Sequence, residues 1–198
     1  MTAKNLLSGV LIAGGACLLY IGGRDLFDSR MGQAEAAHTF EQPVPDTPET
    51  RAAIQPAHAA VHRGDTLAKL KIPRLDTELY VIEGDGHREL RRGPGHLAGT
   101  ALPGEDGNCV IAGHRDTHFR VLKDIREGDD IILQTSAGQF LYRVKRTRIV
   151  SPENTSALAP TKAAELNLIT CYPFYYIGSA PKRFIVEAQL AGAIQRPS

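Results

Sequence analysis

The chain has 198 residues and a formal net charge of +1, from 23 lysines and arginines against 22 aspartates and glutamates. Because the charge is nearly balanced and 42% of the residues are hydrophobic, composition excludes both a strongly basic nucleic-acid binder and a disordered chain. The three cysteines, Cys17, Cys109 and Cys171, are too few for a disulfide scaffold and lack the spacing of a metal site. The length accommodates one folded domain with residues to spare.

The N-terminal residues predict a membrane anchor. An uncharged stretch over residues 5–23, rich in leucine, isoleucine and valine, lies between Lys4 and Arg24. As a helix it would be about 28 Å long, close to the thickness of the hydrocarbon core of a bilayer. The alternative is a cleaved signal peptide, but its best small-residue site, at residues 34–36, lies far beyond the apolar run. A retained anchor would leave residues 1–4 in the cytoplasm and hold the folded domain at the cell membrane. With either an anchor or a cleaved signal peptide, we expect the folded domain outside the cytoplasm.

The next segment predicts a spacer between the anchor and the domain. Residues 24–42 are polar and mostly compatible with a helix, and four prolines follow at positions 43, 45, 48 and 56. We interpret residues 24–63 as a juxtamembrane helix and a proline-rich stalk. The folded domain is then predicted over residues 64–192, with a short tail over residues 193–198.

Short apolar or alternating runs, separated by turn residues, predict that this domain is mainly β. The predicted strands cover residues 70–73, 78–83, 108–112, 130–134, 139–150, 166–170 and 183–190. Two short helices are predicted at residues 118–125 and 160–165. Seven or more short strands with turn-rich connections favour a closed barrel or a sandwich.

Two of the predicted strands lead into residues that can carry out acyl transfer. Cys171 follows the strand at 166–170, and His114 follows the strand at 108–112. If both strands end at one rim of a barrel, the thiolate can attack a carbonyl while the imidazole protonates the departing amine. Arg183 opens the next strand and is a candidate for stabilising the oxyanion that forms.

Other candidate residues have open alternatives. Cys109 alternates with apolar residues and is expected to be a small core side chain. His96 lies in a glycine-rich loop and is either at a substrate groove or in solvent. His118 stands four residues after His114, as in a helical metal pair, but no third ligand is evident. Asp116 either orients His114 or is an ordinary loop residue.

Three motifs resemble those of the sortase family, in the form found in class D. They occupy residues 108–117 (NCVIAGHRDT), 168–174 (LITCYPF) and 180–184 (APKRF), preceded by glycine-containing motifs at 93–96 and 99–100. The similarity extends over residues 70–188. The family's Thr-Leu-x-Thr-Cys motif is matched except at its first position, which is Asn167.

The resemblance implies an eight-stranded sortase-like β-barrel with short helices, preceded by an N-terminal transmembrane helix. It implies a cysteine transpeptidase with Cys171 as nucleophile, His114 as general acid and base, and Arg183 as the cation that positions substrate and oxyanion. The expected substrate is an exported protein with a C-terminal signal similar to Leu-Pro-x-Thr-Gly, which would form a thioester with Cys171. The expected second substrate is an amine of peptidoglycan or pilin type.

Neither a cofactor nor a metal is expected, since the acidic residues are scattered over turns, and no nucleic-acid partner is expected. Two other functions stay open at this point. One is a cysteine endopeptidase that uses water as the acceptor. The other is a non-catalytic, stalked β-barrel that binds envelope proteins.

Overall fold

The computed structural model describes residues 3–42, 61–176 and 178–194. It begins with a long helix, α1 (Ala3–Glu41), and contains one further α-helix in the described ranges, α2 (His87–Arg92). The strands are β1 (Thr66–Ile72), β2 (Thr77–Glu83), β3 (Gly95–His96), β4 (Asn108–Gly113), β5 (Asp130–Thr135), β6 (Gly138–Val150), β7 (Glu165–Tyr172) and β8 (Lys182–Ile194). Short 3₁₀ helices cover Pro73–Leu75, His118–Asp124 and Ser156–Leu158.

The eight strands form a closed barrel in the order β1-β2-β3-β4-β7-β8-β6-β5. Neighbouring strands are antiparallel except for two parallel pairs, β2 with β3 and β4 with β7. Closure gives every strand two neighbours, although the two-residue β3 pairs with only the last two residues of β2. The eight-stranded β-barrel expected from the sequence is therefore confirmed.

The core follows from the alternation of side chains along these strands. In β7, for example, Leu166 and Leu168 are fully buried in the barrel, while Ile169 on the opposite face is partly exposed. Phe119 and Leu122 of the 3₁₀ helix close the core and are also fully buried. A core built from so many branched aliphatic side chains stabilises the domain at roughly 25 cal/mol per Å² of apolar surface removed from water.

Some local predictions were wrong. β3 has only two residues, too few for any periodicity, and lies where the sequence predicts a glycine-rich loop. Helix α2 was not predicted, since its sequence HRELRR is almost entirely charged. No helix forms over residues 160–165, because the Glu165 amide donates to the carbonyl of Gly107 at 2.8 Å and begins β7 instead. The short helix predicted at 118–125 does form, as a 3₁₀ helix over His118–Asp124.

The C-terminal part of α1 packs against the barrel, although the sequence assigns it to a spacer. The side chain of Gln33 donates to the carbonyls of Tyr80 (2.9 Å) and Arg92 (3.0 Å) and accepts a bond from the Tyr80 amide (2.7 Å). A Cβ on Gly32 would lie 2.6 Å from the Cα of Arg92. The close approach of the two backbones therefore requires glycine at this position.

Apolar and charged contacts extend this interface toward the end of the helix. Ala36 is fully buried in a small cluster with Tyr80 and Ile82. The ring of Phe40 meets the edge of the Tyr80 ring at a centroid distance of 5.8 Å. The Tyr80 hydroxyl donates to a carboxylate oxygen of Glu41 at 2.6 Å. This half of the predicted spacer is therefore attached to the domain.

The structure does not show the predicted membrane span. Across the described ranges, none of the helices combines the length and the apolar character that a bilayer crossing requires. The transmembrane assignment of residues 5–23 stays an expectation from the sequence. The prolines of the predicted stalk, together with residues 195–198 of the predicted tail, lie outside the described residues.

An ion pair fixes the turn that leads into β5. Arg74 donates to both carboxylate oxygens of Asp129, at 2.5 and 2.6 Å, and to the carbonyl of Asp124 at 2.6 Å. The Arg126 amide donates to the same carboxylate at 2.8 Å. These bonds, the Arg74 pair above all, hold the pKa of Asp129 below its ordinary value of 3.8 against the opposing effect of burial.

We predict that Asp129→Asn lowers the free energy of unfolding by about 1–3 kcal/mol near neutral pH, the range for hydrogen bonds to charged groups. A carboxyl with a depressed pKa contributes stability that is present above its unfolded-state pKa and is lost as the pH falls through that region. Denaturant unfolding at pH 7 and pH 3 should therefore show a smaller difference for the variant than for the wild type.

Asp130→Asn is the matched control, because Asp130 pairs with Arg143 in a much more exposed position. Asp130→Asn should lower the free energy of unfolding by no more than about 1 kcal/mol, the range for surface ion pairs. Equal losses for the two variants would contradict the structural role given to Asp129.

Candidate active site

The site begins with the parallel pairing of β4 and β7. Their register runs from Asn108 opposite Glu165 to Gly113 opposite Thr170. The Thr170 hydroxyl donates to the carbonyl of Gly113 at 2.7 Å and ties the two strand ends together. Because the strands are parallel, the next residue on each, His114 and Cys171, emerges at the same edge of the barrel.

The orientation of these residues follows from the alternation of each strand. Thr170 is buried and Cys171, the next residue, is partly exposed on the outer face. Arg183 lies directly opposite Cys171 in the antiparallel register of β7 and β8. The structure therefore brings Cys171, His114 and Arg183 to one end of three adjacent strands, as the sequence predicts.

The two cysteines of the barrel have different surroundings. Cys171 is a free thiol with partial exposure. Cys109 is also free but only 1% exposed, and it packs in the core as expected. Burial raises the pKa of the Cys109 thiol far above its ordinary value, so this thiol stays protonated and unreactive. Only the thiolate is a nucleophile, which leaves Cys171 as the reactive candidate of the barrel.

Arg183 faces a groove on the outside of the barrel. Its guanidinium donates to the carbonyls of Lys182 (3.1 Å) and Ala180 (3.4 Å) in the preceding turn. Arginine has five N–H donors, so these two weak contacts leave others for a ligand. The groove has a volume of about 220 Å³, and most of its lining is apolar: Leu97, Val110, Ala112, Pro152, Ala157, Leu158, Ile169 and Ile185.

His114 begins the loop that leads to the 3₁₀ helix. Its carbonyl accepts a bond from the amide of Phe119 at 3.0 Å. A Cβ on Gly113 would lie 2.6 Å from the ring of Phe119, so only glycine lets the strand end pack this closely on that ring. The buried Phe119 thereby fixes the backbone from which His114 projects.

The loop between β7 and β8 is attached to the His114 loop. Arg115 donates to the carbonyls of Tyr176 (3.0 Å) and Gly178 (2.9 Å). Its guanidinium also lies 5.7 Å from the centre of the Tyr176 ring, within the range of a cation–π contact. Sequence reasoning missed this role of Arg115, because the bonds join residues far apart in the chain.

His118 does not form a metal pair with His114. It is buried, and its Nε2 lies 3.2 Å from the hydroxyl oxygen of Ser29 on α1. Burial lowers the pKa of His118, an effect opposed by a hydrogen bond with the Arg91 backbone. In the described residues, no three His, Cys, Asp or Glu side chains lie close enough to hold a metal ion.

His96 lies neither in solvent nor in the groove, but in a buried polar network. Its Nδ1 is 2.6 Å from a carboxylate oxygen of Glu83, and its Nε2 is 3.1 Å from the carbonyl of Ala101. The Thr100 hydroxyl, 3.0 Å from Nε2, gives its own proton to the carbonyl of Leu97. Both ring nitrogens of His96 therefore have polar partners inside the domain.

This network supports the groove, since it fixes the backbone around the groove residue Leu97. Sequence reasoning left the position of His96 open, because nothing in the glycine-rich segment indicates that Glu83 will lie beside it. The parallel register of β2 and β3, which places Glu83 opposite His96, decides the contact.

The closed barrel and the three side chains at its edge define a candidate site for cysteine acyl transfer. A family model for the sortase domain matches residues 70–191. Sortase D of Bacillus subtilis (strain 168) is 34% identical over 191 residues, which cover 92% of this chain and 96% of that protein. The chain therefore belongs to the sortase family, whose members are cysteine transpeptidases.

Solved structures agree with this assignment. A sortase D5 transpeptidase from Clostridium perfringens superposes with a TM-score of 0.68 at 26% identity, over 83% of this chain and 99% of that one. Sortase A of Listeria monocytogenes superposes with a TM-score of 0.61 at 25% identity, over 67% of this chain and 92% of that one. The similarity covers the barrel and, in the first case, most of the chain.

We predict that Glu83→Gln lowers the free energy of unfolding by about 1.5–3 kcal/mol, because it removes the carboxylate that lies 2.6 Å from Nδ1 of the buried His96. Denaturant unfolding measures this loss. His87→Gln is the control, since His87 is exposed, and it should change stability by less than about 0.5 kcal/mol. A loss for Glu83→Gln no larger than that of the control would contradict the buried pair.

Proposed function

We propose that this sortase-family protein cleaves a sorting signal similar to Leu-Pro-x-Thr-Gly near the C-terminus of an exported protein and transfers the acyl part to an amine. The observation that carries the proposal is the shared strand edge of β4, β7 and β8, which presents Cys171, His114 and Arg183 together. The family membership of the chain supports the reaction class.

The chemistry assigned to each residue follows from its type and place. The Cys171 thiolate attacks the carbonyl of the signal's threonine, and His114 protonates the departing amine, so that a thioester remains. Arg183, opposite Cys171, donates hydrogen bonds to the oxyanion and to the bound peptide. An incoming amine then displaces the thiolate and restores the free enzyme.

The groove beside Arg183 suits the donor peptide of this reaction. The leucine and proline of the signal present apolar side chains, and the groove is lined mainly by apolar side chains. The 3₁₀ helix Ser156–Leu158 supplies Ala157 and Leu158 to its wall. Burial of one leucine side chain there contributes about 1.5–3 kcal/mol to binding.

Two other functions use the same surface and stay as alternatives. A cysteine endopeptidase would release the acyl group to water, which needs the same three residues. A non-catalytic barrel would bind the signal in the groove and leave it intact. Cys171 has a partly exposed thiol, and both it and His114 lie one residue beyond the last β4–β7 pair. This favours catalysis, because binding alone needs neither residue.

We predict that Cys171→Ala abolishes cleavage of a Leu-Pro-x-Thr-Gly peptide, since no thiolate remains to form the thioester. Chromatography of the cleaved peptide, with and without an added amine such as glycylglycine, measures both hydrolysis and transfer. Cys109→Ala is the matched control. It removes a buried thiol of the same barrel and should keep most of the activity of the wild type.

His114→Ala and Arg183→Lys belong to the same experiment. Without the general acid, turnover should fall by about 10²–10⁴-fold. Arg183→Lys keeps the charge but loses the planar fork, and a loss of about 10²–10³-fold is expected if the guanidinium holds the oxyanion. Full turnover of the Cys171→Ala protein would exclude the mechanism.

We also propose that residues 5–23 anchor the protein in the cell membrane, with residues 1–4 in the cytoplasm and the barrel outside it. The support comes from the sequence, because this stretch is uncharged and of spanning length. Several large apolar side chains of α1 in this region are exposed, among them Leu11 and Leu19. A bilayer would remove that surface from water.

We predict that the full chain sediments with membranes and resists extraction by alkaline carbonate. The double variant Leu11→Arg/Leu19→Arg should be released, because each arginine costs about 2.5–3.5 kcal/mol near the centre of a span. Leu158→Arg, an exposed position on the barrel, is the control and should stay in the membrane fraction. Wild-type protein that is extracted as readily as the double variant would contradict the anchor.

A further inference from the structure

A second cavity, with a volume of about 170 Å³, lies against His114. Its lining residues are Ser29, His87, Arg91, His114, Asp116 and Thr117. None of them lines the groove that contains Arg183. His114 therefore borders a space that is separate from the groove proposed for the donor peptide.

The cavity depends on the docking of α1. Ser29 forms its wall from α1 and is held by the contact of its hydroxyl with His118 at 3.2 Å. Asp28, the preceding residue, lies 3.5 Å from the Arg91 guanidinium of α2. These contacts join α1 and α2 on one side of His114 and enclose the space between them.

The lining can bind an amine and a carboxylate at the same time. The Asp116 carboxylate accepts hydrogen bonds from an amine. Arg91 has five N–H donors, of which the long contact to Asp28 uses one. Its guanidinium can therefore bind a carboxylate.

We propose that this cavity binds the acceptor that resolves the thioester, and that the acceptor is a primary amine carrying a carboxylate a few bonds away. The inference rests on the proposed transpeptidase function. The donor occupies the groove on the Arg183 side, so the acceptor amine must reach His114 by another route. The cavity is the space beside His114 that the donor leaves free.

The transfer step assigns each bond and proton. The amine nitrogen attacks the thioester carbonyl and forms the new amide bond, while His114 takes the proton that the nitrogen loses. The carbon–sulfur bond then breaks, and the electron pair stays on Cys171 as thiolate. Asp116 holds the amine beside His114 before the attack, and Arg91 holds the carboxylate.

The test uses the full chain, a Leu-Pro-x-Thr-Gly donor peptide, and two acceptors, glycylglycine and glycylglycinamide. These acceptors share the same amine and differ at the distant carboxylate. We expect the wild type to use glycylglycine with a kcat/KM about tenfold higher, the value of one charge-assisted contact. Arg91→Gln should remove this preference and raise the fraction of thioester lost to water.

Arg88→Gln is the matched control, because it removes the same charge from an exposed position of α2 outside the cavity. It should keep the preference of the wild type. Thermal unfolding of each variant checks that the fold is intact.

The outcomes separate this inference from the proposed function. Absence of donor cleavage by the wild type would refute the proposed function itself. Cleavage and transfer with equal use of the two acceptors, or a preference that survives Arg91→Gln, would refute the acceptor site and leave the transpeptidase intact. If Arg88→Gln lost the preference for glycylglycine as fully as Arg91→Gln, the preference would come from the net charge of α2 and not from binding in the cavity. That result would also refute the site.

Discussion

The parallel pairing of β4 with β7 is the constraint on which the site depends. His114 and Cys171 are more than 50 positions apart in the chain. They lie at the same edge of the barrel because they follow the paired ends of two adjacent parallel strands. The bond from Thr170 to the Gly113 carbonyl fixes the final step of that register. A shift of one residue would turn Cys171 toward the core and away from the groove. The thiol is therefore placed by backbone hydrogen bonds rather than by contacts of its own.

Buried packing around this pair gives the site its rigidity. Phe119 lies against Gly113 and supports the loop of His114, while Arg115 joins that loop to the β7–β8 connection. On the other flank, His96 and Glu83 hold the backbone beside the groove. Polar groups buried in this way are favourable only when all of them find partners, so they fix one arrangement of the surrounding backbone.

The docking of α1 connects the proposed anchor with the site. Gln33 binds the backbone of both β2 and α2, and Ser29 reaches His118, four residues beyond His114. One continuous helix therefore runs from the segment proposed to lie in the membrane to the wall of the cavity beside His114. This connection would fix the orientation of the site relative to the bilayer, where exported substrates emerge.

Sequence alone determined what depends on short-range pattern. Alternation along the strands predicted the β-rich domain, the burial of Cys109, and the strand positions of Cys171 and Arg183, because side chains alternate wherever one face of a strand is buried. The motif around Cys171 predicted this residue as the nucleophile through resemblance to the sortase family. The tertiary structure decided which distant residues meet: Glu83 with His96, Ser29 with His118, and the helix α1 with the barrel. Such contacts depend on register and on the closure of the barrel, which no local pattern in the chain specifies.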